Sequence, residues 1–130
     1  LLMIMIDCVG GTPCQRVNDR TVEGAKRVEA HRKRIRDCWG SLVYLMPSVV
    51  AHKAAVIFEW PAGCEYWREP VVASLLSKYG VESCFGGGCA FGPRSHVQEG
   101  LIRKKWRFSY RGCDLAKQFS INHRLCDGAH

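Results

Sequence analysis

Cys14 stands in the run GGTPCQ, directly after an apolar stretch, and Glu59 follows a second apolar stretch, AAVIF. A cysteine in a loop rich in glycine and proline is held away from a sheet, where a substrate can reach it. Its basic neighbours, Arg16 and Arg20, favour the nucleophilic thiolate. A carboxyl at Glu59 could recognise or protonate a heterocyclic nitrogen, so the two side chains together make a nucleophile and an acid. Simpler roles remain open: Cys14 as an inert loop thiol, and Glu59 as a helix cap or a partner for Arg68. Cys126 and His130 have the C-x3-H spacing of zinc ligands, with Cys113 and His123 nearby, but no C-x-x-C pair completes the set. The run Arg103, Lys104, Lys105, Trp106 and Arg107 could hold phosphates while Trp106 stacks on a base, or could be a solvated strand edge. Trp60, Tyr66 and Trp67 are expected to pack a loop over the sheet.

The elements that must position these groups follow from periodicity. Residues 1–8 are almost continuously apolar, the pattern of a strand covered on both faces, and Gly10, Gly11 and Pro13 break it. Val28, Ile35, Trp39, Leu42 and Met46 recur at helical spacing, which predicts a helix from Thr21, its N-cap, to about Met46, with Pro47 ending or kinking it. The opposite face carries Arg27, Arg32, Lys33 and Arg34 and is expected to be solvated. Residues 54–58 read as a strand stopped by Trp60-Pro61. Pro70 opens a second helix, with Val72, Leu75, Leu76 and Tyr79 on one side, and Gly80 ends it. Residues 81–85 and 103–110 read as two further strands, the latter with Trp106 and Phe108 on one face and Arg107 on the other. A glycine-rich connection, GGGCAFGP, lies between them, and a short helix and a turn are expected at the end.

The expected fold class is therefore α/β: a partial Rossmann-like sheet, mostly parallel, flanked by helices, with an irregular C-terminal tail. Residues 1–95 would form the core and residues 96–130 a basic strand and a Cys/His-containing tail. Ligands of such sheets bind at the carboxyl ends of the strands, which would bring Cys14 and Glu59 to one crevice.

The chain has 130 residues, enough for one domain, and 19 Lys and Arg against 12 Asp and Glu give a net charge of +7. That surplus suits a polyanionic partner, DNA or RNA. No apolar run reaches membrane-spanning length, so no membrane partner is expected, and the opening LLMIMI lacks a secretory leader. The eight cysteines are then best read as reduced thiols of an intracellular protein, nuclear or cytoplasmic, and not secreted. The start at Leu1 and the end inside a Cys/His grouping suggest a fragment of something longer.

GGTPCQ resembles the GG-x-PCQ loop of cytosine-5 DNA methyltransferases, and VIFEWPAG resembles that family's strand ending in Glu-Asn-Val; order and separation also agree. The resemblance implies Cys14 as the nucleophile toward a flipped-out cytosine and Glu59 as the group contacting the ring. Gln15 belongs to the same loop signature. Arg103 and Arg107, with Lys104 and Lys105 between them, loosely echo a third signature, Gln-x-Arg-x-Arg. The flanks depart from the family: Arg16-Val17-Asn18 replaces an aromatic-Ser pair, and Glu-Trp-Pro replaces Glu-Asn-Val. The glycine-rich S-adenosylmethionine loop that precedes the cysteine in the family has no counterpart here, so that cofactor is expected only in a longer parent, and these residues alone are expected to be inactive. Over nearly the whole chain, PC…NDRT, IFEWPAGCEYW, GC-x-FG, G-x-IRKKWR and LCDGAH are similar to a methyltransferase-like segment of dinoflagellate proteins, some of them copia-type retroelement polyproteins. That similarity keeps two other expectations open: a non-catalytic nucleic-acid-binding module, and a decayed fragment without activity.

Overall fold

A computed structural model describes residues 1–87 and 104–121, with the side chains of the last three left aside. Among the described residues, four strands and four helices follow in the order β1 (Leu2–Ile4), α1 (Gln15–Asn18), α2 (Val22–Ala51), β2 (Val56–Pro61), α3 (Pro70–Lys78), β3 (Glu82–Gly87), β4 (Lys105–Arg111) and α4 (Leu115–Ile121). A 3-10 turn, Glu65–Arg68, joins β2 to α3.

The long helix α2 buries the stripe that its periodicity predicts: Val28, Ile35, Trp39, Leu42 and Met46. Thr21 caps it, its Oγ1 accepting the Gly24 N–H at 3.0 Å, which satisfies one of the amides left unpaired in a first turn. Gly24 allows the approach of α1, since a Cβ there would collide with the Asn18 carbonyl oxygen. Pro47 neither ends nor interrupts the helix, which runs one turn further to Ala51. A proline removes only one amide, and Val49 in the following turn packs against the core, so tertiary contact outweighs the lost bond. In α3, Pro70 takes the first helical position, and Val72, Leu75 and Leu76 are buried.

The sheet order is β1-β2-β4-β3. β1 pairs with β2 in parallel, Leu2 opposite Val56; β4 is antiparallel to β2 and to β3. A mostly parallel Rossmann-like sheet is thus corrected to a mixed four-stranded sheet within an α/β chain. The helical crossovers do carry β1, β2 and β3 in one direction, as the alternation of elements predicts. β4, however, returns between β2 and β3, so the hydrogen-bonded neighbours on that half are antiparallel. The first strand is also shorter than its apolar run, three residues against eight. It is an edge strand, and only its Val56 side has a partner to hold it extended.

The core lies between the sheet and the two helices α2 and α3. Trp39 stacks on Phe58 with ring centroids 5.0 Å apart and meets Trp60 at 5.3 Å. Trp60 in turn meets Tyr66 at 5.5 Å and Trp67 at 4.9 Å, so Trp60, Tyr66 and Trp67 pack a loop over the sheet. Such aromatic pairs contribute about 0.5–1.5 kcal/mol each beyond the area they bury.

Candidate functional site

Four backbone carbonyls on the way into the cysteine loop find donors in β2, in the segment after it and in α2. Trp60 Nε1 donates to the Ile6 carbonyl at 2.6 Å, and Tyr66 Oη donates to Val9 at 2.6 Å. Arg32 Nε reaches Gly10 at 3.3 Å, and the Glu65 N–H reaches Gly11 at 2.7 Å. Gly11 lies flat against the Tyr66 ring, where a Cβ would stand 2.6 Å from the ring carbon Cδ2. The two segments that carry the methyltransferase resemblance, GGTPCQ and EWPAGCEYW, are therefore docked on one another. Arg32, placed by periodicity on a solvated helix face, is the pin of this docking. It also pairs with Asp19 at 3.7 Å and Glu65 at 3.8 Å.

Cys14 itself is exposed at the start of α1. Arg16 turns toward Glu65, 3.4 Å away, and Gln15 accepts a bond from Asn18 Nδ2. Glu59 is elsewhere. β2 continues through it to Pro61, so Glu59 lies inside the strand, opposite Phe108 of β4, and not beyond a strand end. Phe58 and Trp60 on either side of it face α2, and alternation turns Glu59 to the opposite face. Tyr66 holds the cysteine loop on the α2 side, so Cys14 and Glu59 do not meet in one crevice. Nor does Glu59 cap a helix: Cys64 and Glu69 occupy the N-cap positions that follow.

Glu59 Oε1 is sealed from water and has no hydrogen-bond partner among the described residues. Burial pushes its carboxyl above the ordinary carboxylate range, and the charge of Lys104 partly opposes this. The group can hold a proton further toward neutral pH than a solvated glutamate, and so can act as a hydrogen-bond donor.

The basic residues collect at the end of the β3–β4 ladder where β4 begins. There Gly87 pairs with Lys105, Gly86 with Trp106 and Phe85 with Arg107. Lys104 Nζ sits 3.9 Å from the centroid of the Trp106 ring, Lys105 Nζ 5.0 Å from that of Phe85, and Arg107 Cζ 4.5 Å from a ring of Trp67. Lys104 and Lys105 are exposed, and Phe85 is 50% exposed. Arg107 is half-buried and donates to Ser83 Oγ at 3.0 Å, while Ser83 meets the buried Ser109 at 2.9 Å. Burial pushes its guanidinium below the usual arginine value. Arg107 thus braces the ladder against Trp67, and the two lysines present charge to solvent.

Phe85 escapes a reading of the sequence because only the strand register brings it to the basic run, and the meeting of Trp67 with Arg107 arises only from tertiary packing. Arg103, Cys126 and His130 lie outside the described residues. Among the described residues, no group of three or more His, Cys, Asp or Glu side chains could hold a metal ion, and Cys8, Cys14, Cys38, Cys64, Cys84 and Cys113 are free thiols. No helix among them is long and apolar enough to cross a membrane. No protein-family model matches the chain, and neither a curated protein nor a solved structure matches it.

Proposed function

We propose that this chain is a methyltransferase-like segment whose working role is to bind single-stranded nucleic acid at the β4 end of the β3–β4 ladder. The observation that carries the reading is the set of three cations, Lys104, Lys105 and Arg107, each seated on an aromatic ring at one end of the sheet. An exposed ring such as Phe85 stacks on bases whatever their identity, and the exposed ammonium groups of Lys104 and Lys105 meet the phosphates; this combination is how sequence-tolerant binders hold single strands. The net charge of +7 draws in the same partner over longer range. An intracellular setting, nuclear or cytoplasmic, belongs to the same reading, since free thiols persist there.

No methyl-transfer step is assigned to these residues. Glu59 turns to the sheet face opposite Phe58 and Trp60, away from the side on which Tyr66 holds the cysteine loop, which gives a nucleophile–acid pair no support. The cysteine loop is then a mark of ancestry.

Fluorescence anisotropy with labelled single-stranded and duplex oligonucleotides tests the proposal. Binding should favour the single strand and weaken with salt. Lys104→Ala and Lys105→Ala should each lower the slope of log K against log salt by about 0.7. Phe85→Ala should cost about 1–3 kcal/mol at constant salt. Binding that ignores salt, or that survives all three substitutions unchanged, would sink the reading.

A further inference from the structure

The cysteine loop and the first half of α2 enclose a cleft of about 210 Å³, lined by Val9, Gln15, Asn18, Gly24, Arg27, Val28 and His31. Val28 and Gly24 are buried and form its floor, Gln15 and His31 are half-buried, and Arg27 and Asn18 stand at its exposed rim. The volume is below the roughly 300 Å³ at which sites begin to enclose a drug-sized ligand, so the cleft suits a single small group.

Its chemistry is that of a donor set. Asn18 Nδ2 donates to Gln15 Oε1, which uses one of that oxygen's two lone pairs and turns the Gln15 amide hydrogens into groups on offer, beside the Asn18 carbonyl as an acceptor. Arg27 has only donors, and the His31 ring carries an N–H in either tautomer. No carboxylate lines the cleft. Of the acids flanking it in sequence, Asp19 is paired with Arg32 at 3.7 Å, and Glu23 touches Arg27 only at 4.0 Å across an exposed helix turn. A contact of that kind is weak, and a better acceptor can displace it.

We propose that this cleft binds a phosphate oxyanion through Gln15, Arg27 and His31. The group can be the monoester of a free nucleotide or a diester of a nucleic-acid backbone, and the chemistry of capture is the same. The site is independent of the β3–β4 end, because it shares no residue with it.

Titration of the isotope-labelled chain with inorganic phosphate, balanced against chloride at constant ionic strength, is the test. Saturable shifts are expected at the backbone amides of Gln15, Gly24, Val28 and His31. Arg27→Ala and His31→Ala, each checked for an unchanged spectrum elsewhere, should weaken the phosphate affinity about tenfold, the worth of one charge-assisted hydrogen bond. Lys104→Ala should leave it unaltered. If a 5′-mononucleotide moves these amides and an oligonucleotide without a terminal phosphate does not, the ligand is a monoester; if the oligonucleotide moves them, it is the backbone. Shifts that fail to saturate, that scatter along the basic face of α2, or that keep the parent's phosphate affinity in Arg27→Ala overturn the proposal.

Discussion

A carboxyl oxygen sealed from water penalises the ionised form, and Glu59, whose Oε1 meets no donor among the described residues, is placed in that way by strand alternation. Its raised value means that the folded protein keeps a proton where the unfolded chain has already released it. This contribution to stability is complete below the ordinary carboxylate range, near about pH 4, and is lost as pH rises through the folded-state value. Glu59→Gln keeps the shape and removes the charge. The variant should therefore gain thermal stability relative to the parent as pH rises from that range toward neutrality, with the two converging in acid. Melting curves that run parallel across that range would mean that Glu59 is solvated. Cys14, Glu59, Lys104, Lys105 and Arg107 can all be picked out by residue type and local spacing. Arg32, Phe85 and Trp67 cannot, because their roles arise from contacts with segments distant in the chain.

The elements were more legible than the sheet they form. The buried stripe of α2 follows directly from the apolar residues at three, four and seven, because a helix repeats its own face without outside help. Its start is equally local: Thr21→Ala removes the acceptor of the Gly24 amide and should cost about 0.5–2 kcal/mol in chemical denaturation. A smaller loss would show that the packing of α1 onto the first turn holds it without the cap. Ends set by packing were less legible. α2 passes Pro47 because Val49 is anchored in the core, and β2 passes Trp60 because β4 lies beside it, with Pro61 opposite Trp106. In each case a residue that stops an isolated segment is overruled by a neighbour that the segment does not contain.

At the scale of the whole molecule, β4 decides whether the rest can form. It lies between β2 and β3 and supplies the partner for both, from Val56 opposite Arg111 to Gly87 opposite Lys105. A chain truncated to residues 1–95 lacks that strand, so β3 loses its only described partner and the aromatic core loses the buried Ser109 beside Phe58. The truncated chain should give no cooperative thermal transition by circular dichroism, whereas the 130-residue chain should. A sharp transition in the truncated form would show that β1, β2 and the helices stand alone.

The sequence by itself determined the alternation of helices and strands, the buried faces of α2 and α3, the cap at Thr21 and the residue types able to do chemistry. All of these depend on neighbours within a few positions. Only the tertiary structure decided that β4 runs antiparallel inside the sheet, that Glu59 turns away from Cys14, and that Lys105 and Arg107 meet Phe85 and Trp67. Strand order and register are set by which distant segments bury each other best, and that competition has no period along the chain.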